Sequence, residues 1–337
     1  MRDALMHRVL EQAQRFYGCR GLLSAKKIKA LDCAYSVVRR IEIECDGLPK
    51  VLYVKRVKSA GIRADQAASR VVVEHRILTD LSDHFRPLAT WHVPRPVAVF
   101  PEEHTLVTEA VPGTPLMDLI GRYAKRTSFG QQRAALEQYC AMSGRWLREF
   151  QSFTSRGTGP FNFQGLFDYC ARRLDTLIAD RRSGVDAAFR RRLLRCLERA
   201  HEALRGRPDT IVGRHNDFSP HNILVVGEHL SVIDFGFFDH DSYLYDVCKF
   251  WFQLERMKAS PLFSGTTIER LQGSFLDGYG GQATPSEPAF EMVACRYFVT
   301  HLVTMINEGM RRGPRGWIDR RSYDWCLAWL NERCKSD

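Results

Sequence analysis

The sequence predicts an α+β chain of two lobes: a smaller N-terminal lobe over residues 1–111, an antiparallel sheet with one main helix, and a larger, mostly helical lobe over 112–337. Three observations lead there. β-rich runs dominate the first third of the chain, an apolar strand then meets the breaker Pro112-Gly113-Thr114-Pro115, and seven segments with helical periodicity fill most of the remainder. The length of 337 residues and the 45% hydrophobic content suit two globular units with sizeable cores.

Taken in order, Met1 to Leu10 has charges spread through it and no apolar centre, so it reads as an amphipathic helix and not as a secretory signal. Lys26 to Leu31 and Val37 to Ile43 are strands around the turn Asp32-Cys33-Ala34-Tyr35-Ser36, which lacks glycine. A third strand, Val51 to Val57, follows the turn Asp46-Gly47-Leu48-Pro49 and carries Lys55. Gln66 to Leu81 is a helix with Val71, Leu78 and Leu81 on one stripe, and Glu74 lies on that stripe, where an unpaired carboxylate is costly. Glu74 therefore needs a cation. Lys55, nineteen positions earlier, is the candidate, because the alternating strand turns Arg56 to the opposite face. His104 to Val111 completes the small lobe. Beyond the breaker, helices are expected over Gln131 to Phe153, Phe167 to Arg181, Asp186 to Arg205, Asp246 to Met257, Ile268 to Tyr279, Ser286 to Glu308 and Arg321 to Cys334.

Between the third and fourth of these helices the chain reads Arg214-His215-Asn216-Asp217-Phe218-Ser219-Pro220-His221-Asn222, and Val232-Ile233-Asp234-Phe235-Gly236 follows. The apolar runs Ile223 to Val226 and Leu230 to Ile233, joined by Gly227-Glu228-His229, form a buried hairpin that sets the distance between the two acidic elements. One carboxylate beside an incoming alcohol, with an amide oxygen and a second carboxylate for a metal, is the polar set that transfer of a phosphoryl group requires.

These residues resemble the aminoglycoside phosphotransferase and choline kinase group of small-molecule kinases, whose loop follows H-x-D-x-x-x-x-N. The resemblance implies a protein-kinase-like fold, with residues 1–111 as the nucleotide-binding lobe and 112–337 as the catalytic and acceptor-binding lobe. It implies transfer of the γ-phosphoryl group of ATP to a hydroxyl, with GTP as the alternative donor. Asp217 would accept the hydroxyl proton, Asn222 and Asp234 would hold Mg²⁺, and Lys55, set by Glu74, would bind the phosphates. Main-chain groups near Glu109 and Val111 would bond the adenine edge. Ser36 would replace the missing glycine-rich loop, and Asp246 would brace the catalytic loop. A peptide kinase is disfavoured, since no Ala-Pro-Glu triplet follows Asp234 and only a short stretch separates it from the helix at Asp246. The specific motifs occupy only Lys55, Glu74 and residues 215 to 246.

Composition bounds the rest. A formal charge of +10 invites a nucleic-acid reading, but no such motif is present and arginines such as Arg190-Arg191-Arg192 suit a solvated helix face. No nucleic acid is expected. No run of about eighteen apolar residues predicts a membrane span, and peripheral membrane contact stays open. Ten cysteines without a C-x-x-C pair predict reduced thiols in a cytoplasmic protein, monomer or homodimer, with neither zinc nor disulfides required. Asp239, Asp241 and Glu308 are the acids available to a polycation, while Arg311, Arg312, Arg315, Arg320 and Arg321 crowd the C-terminal region. The expected partner is thus a small-molecule or glycan hydroxyl acceptor, foremost a sugar; the alternative functions are an aminoglycoside phosphotransferase and a nucleotide-binding pseudokinase scaffold.

Overall fold

The computed structural model describes residues 3–334 apart from 22, 34, 59–62, 128–129, 282 and 310–312. In chain order the elements are α1 (Asp3–Tyr17), β1 (Ala25–Asp32), β2 (Ser36–Cys45), β3 (Leu48–Val57), α2 (Ala64–Phe85), β4 (Trp91–His92), β5 (Pro96–Phe100), β6 (Thr105–Glu109) and β7 (Thr114–Pro115). They continue with α3 (Leu116–Tyr123), α4 (Gln131–Phe153), β8 (Thr158–Gly159), α5 (Phe163–Ala179), α6 (Ala187–Glu202), β9 (Asp209–Arg214), β10 (Ile223–Val226), β11 (His229–Val232) and β12 (Asp239–Ser242). Four helices close the chain: α7 (Leu244–Glu255), α8 (Gly265–Tyr279), α9 (Pro288–Asn307) and α10 (Gly313–Arg333).

The chain divides into two compact units. The first comprises Met1–Thr114 and Asn222–Phe238, the second Pro115–His221 and Asp239–Asp337. The hairpin that the sequence reading grouped with the larger lobe therefore clusters with the first unit.

In the first unit, five strands pair in the order β1-β2-β3-β6-β5. The β2–β3 hairpin turns on Asp46 and Gly47, both at positive φ (49° and 81°), which is the two-residue turn that Asp-Gly favours because its twist matches that of the strands. Leu5, Val9 and Ala13 of α1 pack on Ile41, Ile43, Leu52 and Val54, so the expected N-terminal helix closes one core of this unit. Helix α2 buries Val71, Ile77, Leu78 and Leu81, with Glu74 in the same stripe. The hairpin β10–β11 pairs Ile223 with Val232 across Gly227, and β4 runs parallel to β11. One expectation fails here. Cys19 and Cys45 form a disulfide, with Cα atoms 5.4 Å apart, while the other eight cysteines are free. The end of β2 carries Cys45 back to the segment after α1, a proximity that cysteine spacing alone does not reveal.

In the second unit, α4 and α8 pack so closely that two glycines are obligatory. A Cβ on Gly144 would lie 2.2 Å from the Phe275 carbonyl oxygen, and one on Gly278 would lie 2.1 Å from the Ala141 oxygen. Helix α9 forms the centre of the helical core through Phe290, Phe298, Val299 and Leu302. By length and mean hydropathy (1.2 over its window) it alone among the described helices is long and apolar enough to cross a membrane, yet 67% of that window is buried inside the unit. Helix α10 starts at Gly313, eight residues before the predicted start. Gly313-Pro314 reads as a breaker, but a proline in the first turn costs a helix no hydrogen bond. The small sheet β8-β9-β12 was not foreseen, since Asp239-His240-Asp241-Ser242 carries no apolar alternation.

Because the Gly278 contact is with backbone, Gly278→Ala must push α4 and α8 apart. We expect a loss of about 1–3 kcal/mol in a urea unfolding titration, the usual cost of overpacking. Unchanged stability would show that the helices tolerate a wider spacing.

Candidate active site

The second unit presents Asp217 on a loop whose backbone is held from below. Asp246, in the first turn of α7 and fully buried, accepts hydrogen bonds from the N–H groups of His215 (2.6 Å) and Asn216 (2.9 Å). Burial raises its pKa, and His215, Arg214 and the two amides oppose that rise. Asn216 sits at φ 65°, in the left-handed region that asparagine tolerates better than most residues, and its Nδ2 donates to Asp239 Oδ1 at 2.8 Å. Phe218 anchors the far side of the loop, stacked on Trp146 at 5.7 Å and near Phe250 at 5.8 Å. Asp217 itself lies between these anchors, with its N–H on His215 Nδ1 (3.3 Å) and its Oδ1 3.1 Å from Lys249 Nζ. Lys249 was not singled out in the sequence. Its signal is the spacing Asp246 to Lys249, which turns both residues to one face of α7, toward the loop.

The first unit assembles Lys55, Glu74 and Asp234. Lys55 Nζ lies 2.9 and 3.0 Å from the two Glu74 oxygens and also donates to Asp234 Oδ1. Burial pulls the lysine pKa down, but Glu74 and Asp234 outweigh it and hold the ammonium charged. Glu74 is only 3% exposed, so it depends on this partner. Asp234 adopts φ 70°, a strained conformation for a residue with a Cβ. Gly236 has to be small, since a Cβ there would stand 2.9 Å from Lys55 Nζ and 3.2 Å from Glu74 Oε2. Asn222 begins the hairpin, and its carbonyl accepts the Ile233 N–H at 3.0 Å, tying it next to Asp234 in the chain. Among the described residues no group of three acids, imidazoles or thiols could hold a metal by itself. Asn222 and Asp234 offer two hard oxygen donors, which fits Mg²⁺, an ion that completes its shell with phosphate and water.

Other predicted residues fall differently. Ser36 is 8% exposed and pairs with Val57 at the foot of β2, while Tyr35 of that turn is exposed and its ring meets Phe237 edge-on at 5.8 Å. The Glu109 N–H donates to Arg95 O (3.0 Å), its carboxylate is paired with Arg95, and the Ala110 N–H donates to Val51 O. Val111, in contrast, has an amide with no partner among the described residues.

Of the C-terminal arginines, Arg311 and Arg312 lie outside the described residues, as does the side chain of Arg315, Arg320 is exposed, and Arg321 donates to Ala259 O and covers Trp317. A cavity of about 600 Å³ in the second unit is lined by Ile318, Asp319 and Ser322 from α10, by His221 of the loop, and by Arg256 and His301, among others. Asp239 and Asp241, the acids available to a polycation, are both paired with Arg214, at 2.7 and 3.5 Å.

A two-unit α+β chain with a strand lysine fixed by a helix glutamate, and an acidic loop before a metal-suited hairpin, is a phosphoryl-transfer enzyme of the protein-kinase-like superfamily. The profile of the phosphotransferase enzyme family (APH) matches residues 51–288, and the chain belongs to that family. It is accordingly an ATP-dependent phosphotransferase that uses an alcohol group of a small molecule as acceptor, with Mg²⁺ as the ion of the family. Three solved structures share the fold at low identity. A choline/ethanolamine kinase family protein from Mesorhizobium loti is 15% identical, covering 100% of this chain and 96% of its own, with a TM-score of 0.54. The macrolide 2'-phosphotransferase MphH from Brachybacterium faecium is 16% identical, with 96% and 97% covered and a TM-score of 0.55. A thermostable mutant of aminoglycoside phosphotransferase APH(4)-Ia, in ternary complex with AMP-PNP and hygromycin B, is 18% identical, with 98% and 99% covered and a TM-score of 0.56. No curated protein matches the chain.

The cavity sets a pH dependence. Burial, with Arg256 and Lys249 nearby, pushes the His301 pKa down from 6.5 to about 3, so the native state holds the imidazole neutral while the unfolded chain protonates near 6.5. The unfolded state then binds more protons below pH 6.5, and stability falls as pH drops from about 6.5 toward 3. In His301→Gln the melting temperature should fall less steeply across that window. Superimposable pH profiles for both proteins would contradict the assignment.

Proposed function

We propose that the enzyme phosphorylates a hydroxyl of a sugar or glycan, with the first unit as the nucleotide-binding lobe and the second as the catalytic and acceptor-binding lobe. Asp217 acts as the base. The observation that carries this reading is the Asp217–Lys249 pair on a loop clamped by Asp246, in the same unit as a cavity that the loop residue His221 helps to line. Lys249 Nζ, 3.1 Å from Oδ1, holds one of the carboxylate oxygens in place. The clamp aims it, and aim is the larger part of what an enzyme contributes to phosphoryl transfer. Lys55, fixed by Glu74, holds the phosphates, and Asn222 with Asp234 holds the ion. Mg·ATP supplies the transferable group and the neutralisation of its charge. A cytoplasmic setting, where ATP is abundant, goes with this assignment.

The sugar reading is supported by the cavity lining. Ser260, Thr304, Ser322 and two imidazoles offer hydrogen bonds to hydroxyls, and Met117, Met257 and Leu262 offer apolar surface to a ring. Arg214 already occupies Asp239 and Asp241, which disfavours a polycation. The aminoglycoside reading keeps one observation in its favour, the presence of Glu308 and Asp319 at the cavity. Saturable phosphorylation of kanamycin at micromolar concentration, with no sugar phosphorylated, would select it.

Asp217→Asn should lower turnover by roughly 10²–10⁴-fold while AMP-PNP affinity stays near that of wild type, because removal of a general base has that magnitude. Lys249→Met should lower kcat without weakening nucleotide binding. Asp234→Asn, in contrast, should abolish Mg²⁺-dependent AMP-PNP binding. Turnover at the wild-type rate in Asp217→Asn would overturn the assignment of the base.

A further inference from the structure

We propose that Arg256 binds an oxyanion of the acceptor, so that the phosphorylated hydroxyl belongs to an acidic sugar, one that carries a carboxylate or a phosphate. This deepens the sugar-kinase reading and rests on it.

Arg256 follows directly on α7 and lines the cavity together with His221 of the catalytic loop. Its Nε donates to Gln253 Oε1 at 2.7 Å, and among the described residues no carboxylate is ion-paired with it. The adjacent acid is engaged elsewhere, since Glu255 lies 2.8 Å from Lys258 Nζ and accepts from Gln272 at 2.9 Å. A guanidinium stays charged at any pH a protein survives, and one drawn out of water without a counter-charge is unfavourable. Burial acts on Arg256 strongly enough to pull its pKa below the ordinary arginine value. The C-terminal end of α7 attracts a cation there, which accounts for an arginine at a helix end but not for its place on a cavity wall without an acid.

The other groups around the cavity reinforce the positive field at its inner end. His301 has a lowered pKa, from burial first and from Arg256 second, so it is a neutral hydrogen-bonding group at pH 7, and Lys249 adds to the same field there. Of the two acids that line the cavity, Glu308 is exposed and Asp319 is partly exposed, so water screens both charges. An incoming carboxylate or phosphate would meet a planar fork of donors suited to two parallel hydrogen bonds. Nearby, His221, His301 and the hydroxyls of Ser260 and Ser322 suit the ring hydroxyls of the same molecule.

The test compares three versions of one hexose: D-glucose, D-glucosamine and D-glucuronate. Binding to the full chain is measured calorimetrically with AMP-PNP and Mg²⁺ present, for wild type and for Arg256→Gln. Glucuronate should bind wild type at least about tenfold more tightly than the other two, the gain a charge-assisted hydrogen bond affords. Arg256→Gln should erase that preference while its AMP-PNP affinity remains that of wild type, which shows that the variant is folded. Equal binding of all three sugars, tighter binding of glucosamine, binding of none, or a preference that survives in Arg256→Gln would each overturn the proposal. A glucuronate preference without phosphoryl transfer to any sugar would leave the anion site standing and sink the sugar-kinase reading, so the two failures are distinguishable.

Discussion

A single buried carboxylate governs the catalytic loop. Asp246 has no exposed surface, and burying an ionised carboxylate costs several kcal/mol unless its oxygens are bonded. The loop supplies those bonds with two successive backbone amides, each about 1.5–3 kcal/mol for a charged acceptor, and can do so only because Asn216 adopts the left-handed conformation. Each side therefore enforces the other. The loop cannot relax without stranding a buried charge, and Asp246 cannot be accommodated without that loop shape. The aim of Asp217, the next residue, follows from this mutual constraint, and the aromatic packing of Phe218 prevents the loop from pivoting about its anchor.

The first unit repeats the logic with the signs exchanged. Glu74 is buried on the core face of α2, and Lys55 is the cation that makes this tolerable. The raised lysine pKa means that the pair contributes stability in full below the unfolded value of about 10.4, with loss only as pH rises through the folded value. Across the physiological range the ammonium is thus a fixed charge. Asp234 completes the group, and the absence of a Cβ on Gly236 leaves room for Lys55 to reach both acids. A lysine held by two carboxylates keeps its position without a ligand, which suits the role at the phosphates proposed for it.

Much of this was legible in the chain because local chemistry wrote it there. The alternation around Lys55, the stripe that includes Glu74, the Asp217 to Asn222 spacing and the hairpin before Asp234 each needed only nearby residues, and the predicted strands and helices other than α1 and α10 fell within a few residues of their bounds. What escaped depended on long-range contact. The Cys19–Cys45 bond needs β2 to return past the end of α1. Lys249 looks like an ordinary surface lysine until α7 is laid against the loop, and Arg256 looks like an ordinary helix end until its lack of an acid is visible in three dimensions. The arginine-rich stretch near residue 315 did not identify the cavity-lining residues of α10 either, because a linear cluster of charge does not say which side chains face a cavity. Ile318, Asp319 and Ser322, spaced as one face of α10, do.

Phosphoryl transfer to an alcohol is the reaction on which every role described above converges. Phosphorus-31 NMR of the purified protein with Mg·ATP and a mixture of neutral and acidic sugars reads that transfer directly. A new phosphomonoester resonance growing in step with ADP is the expected result. ADP accompanied only by inorganic phosphate, or ATP left intact with every sugar offered, would contradict it.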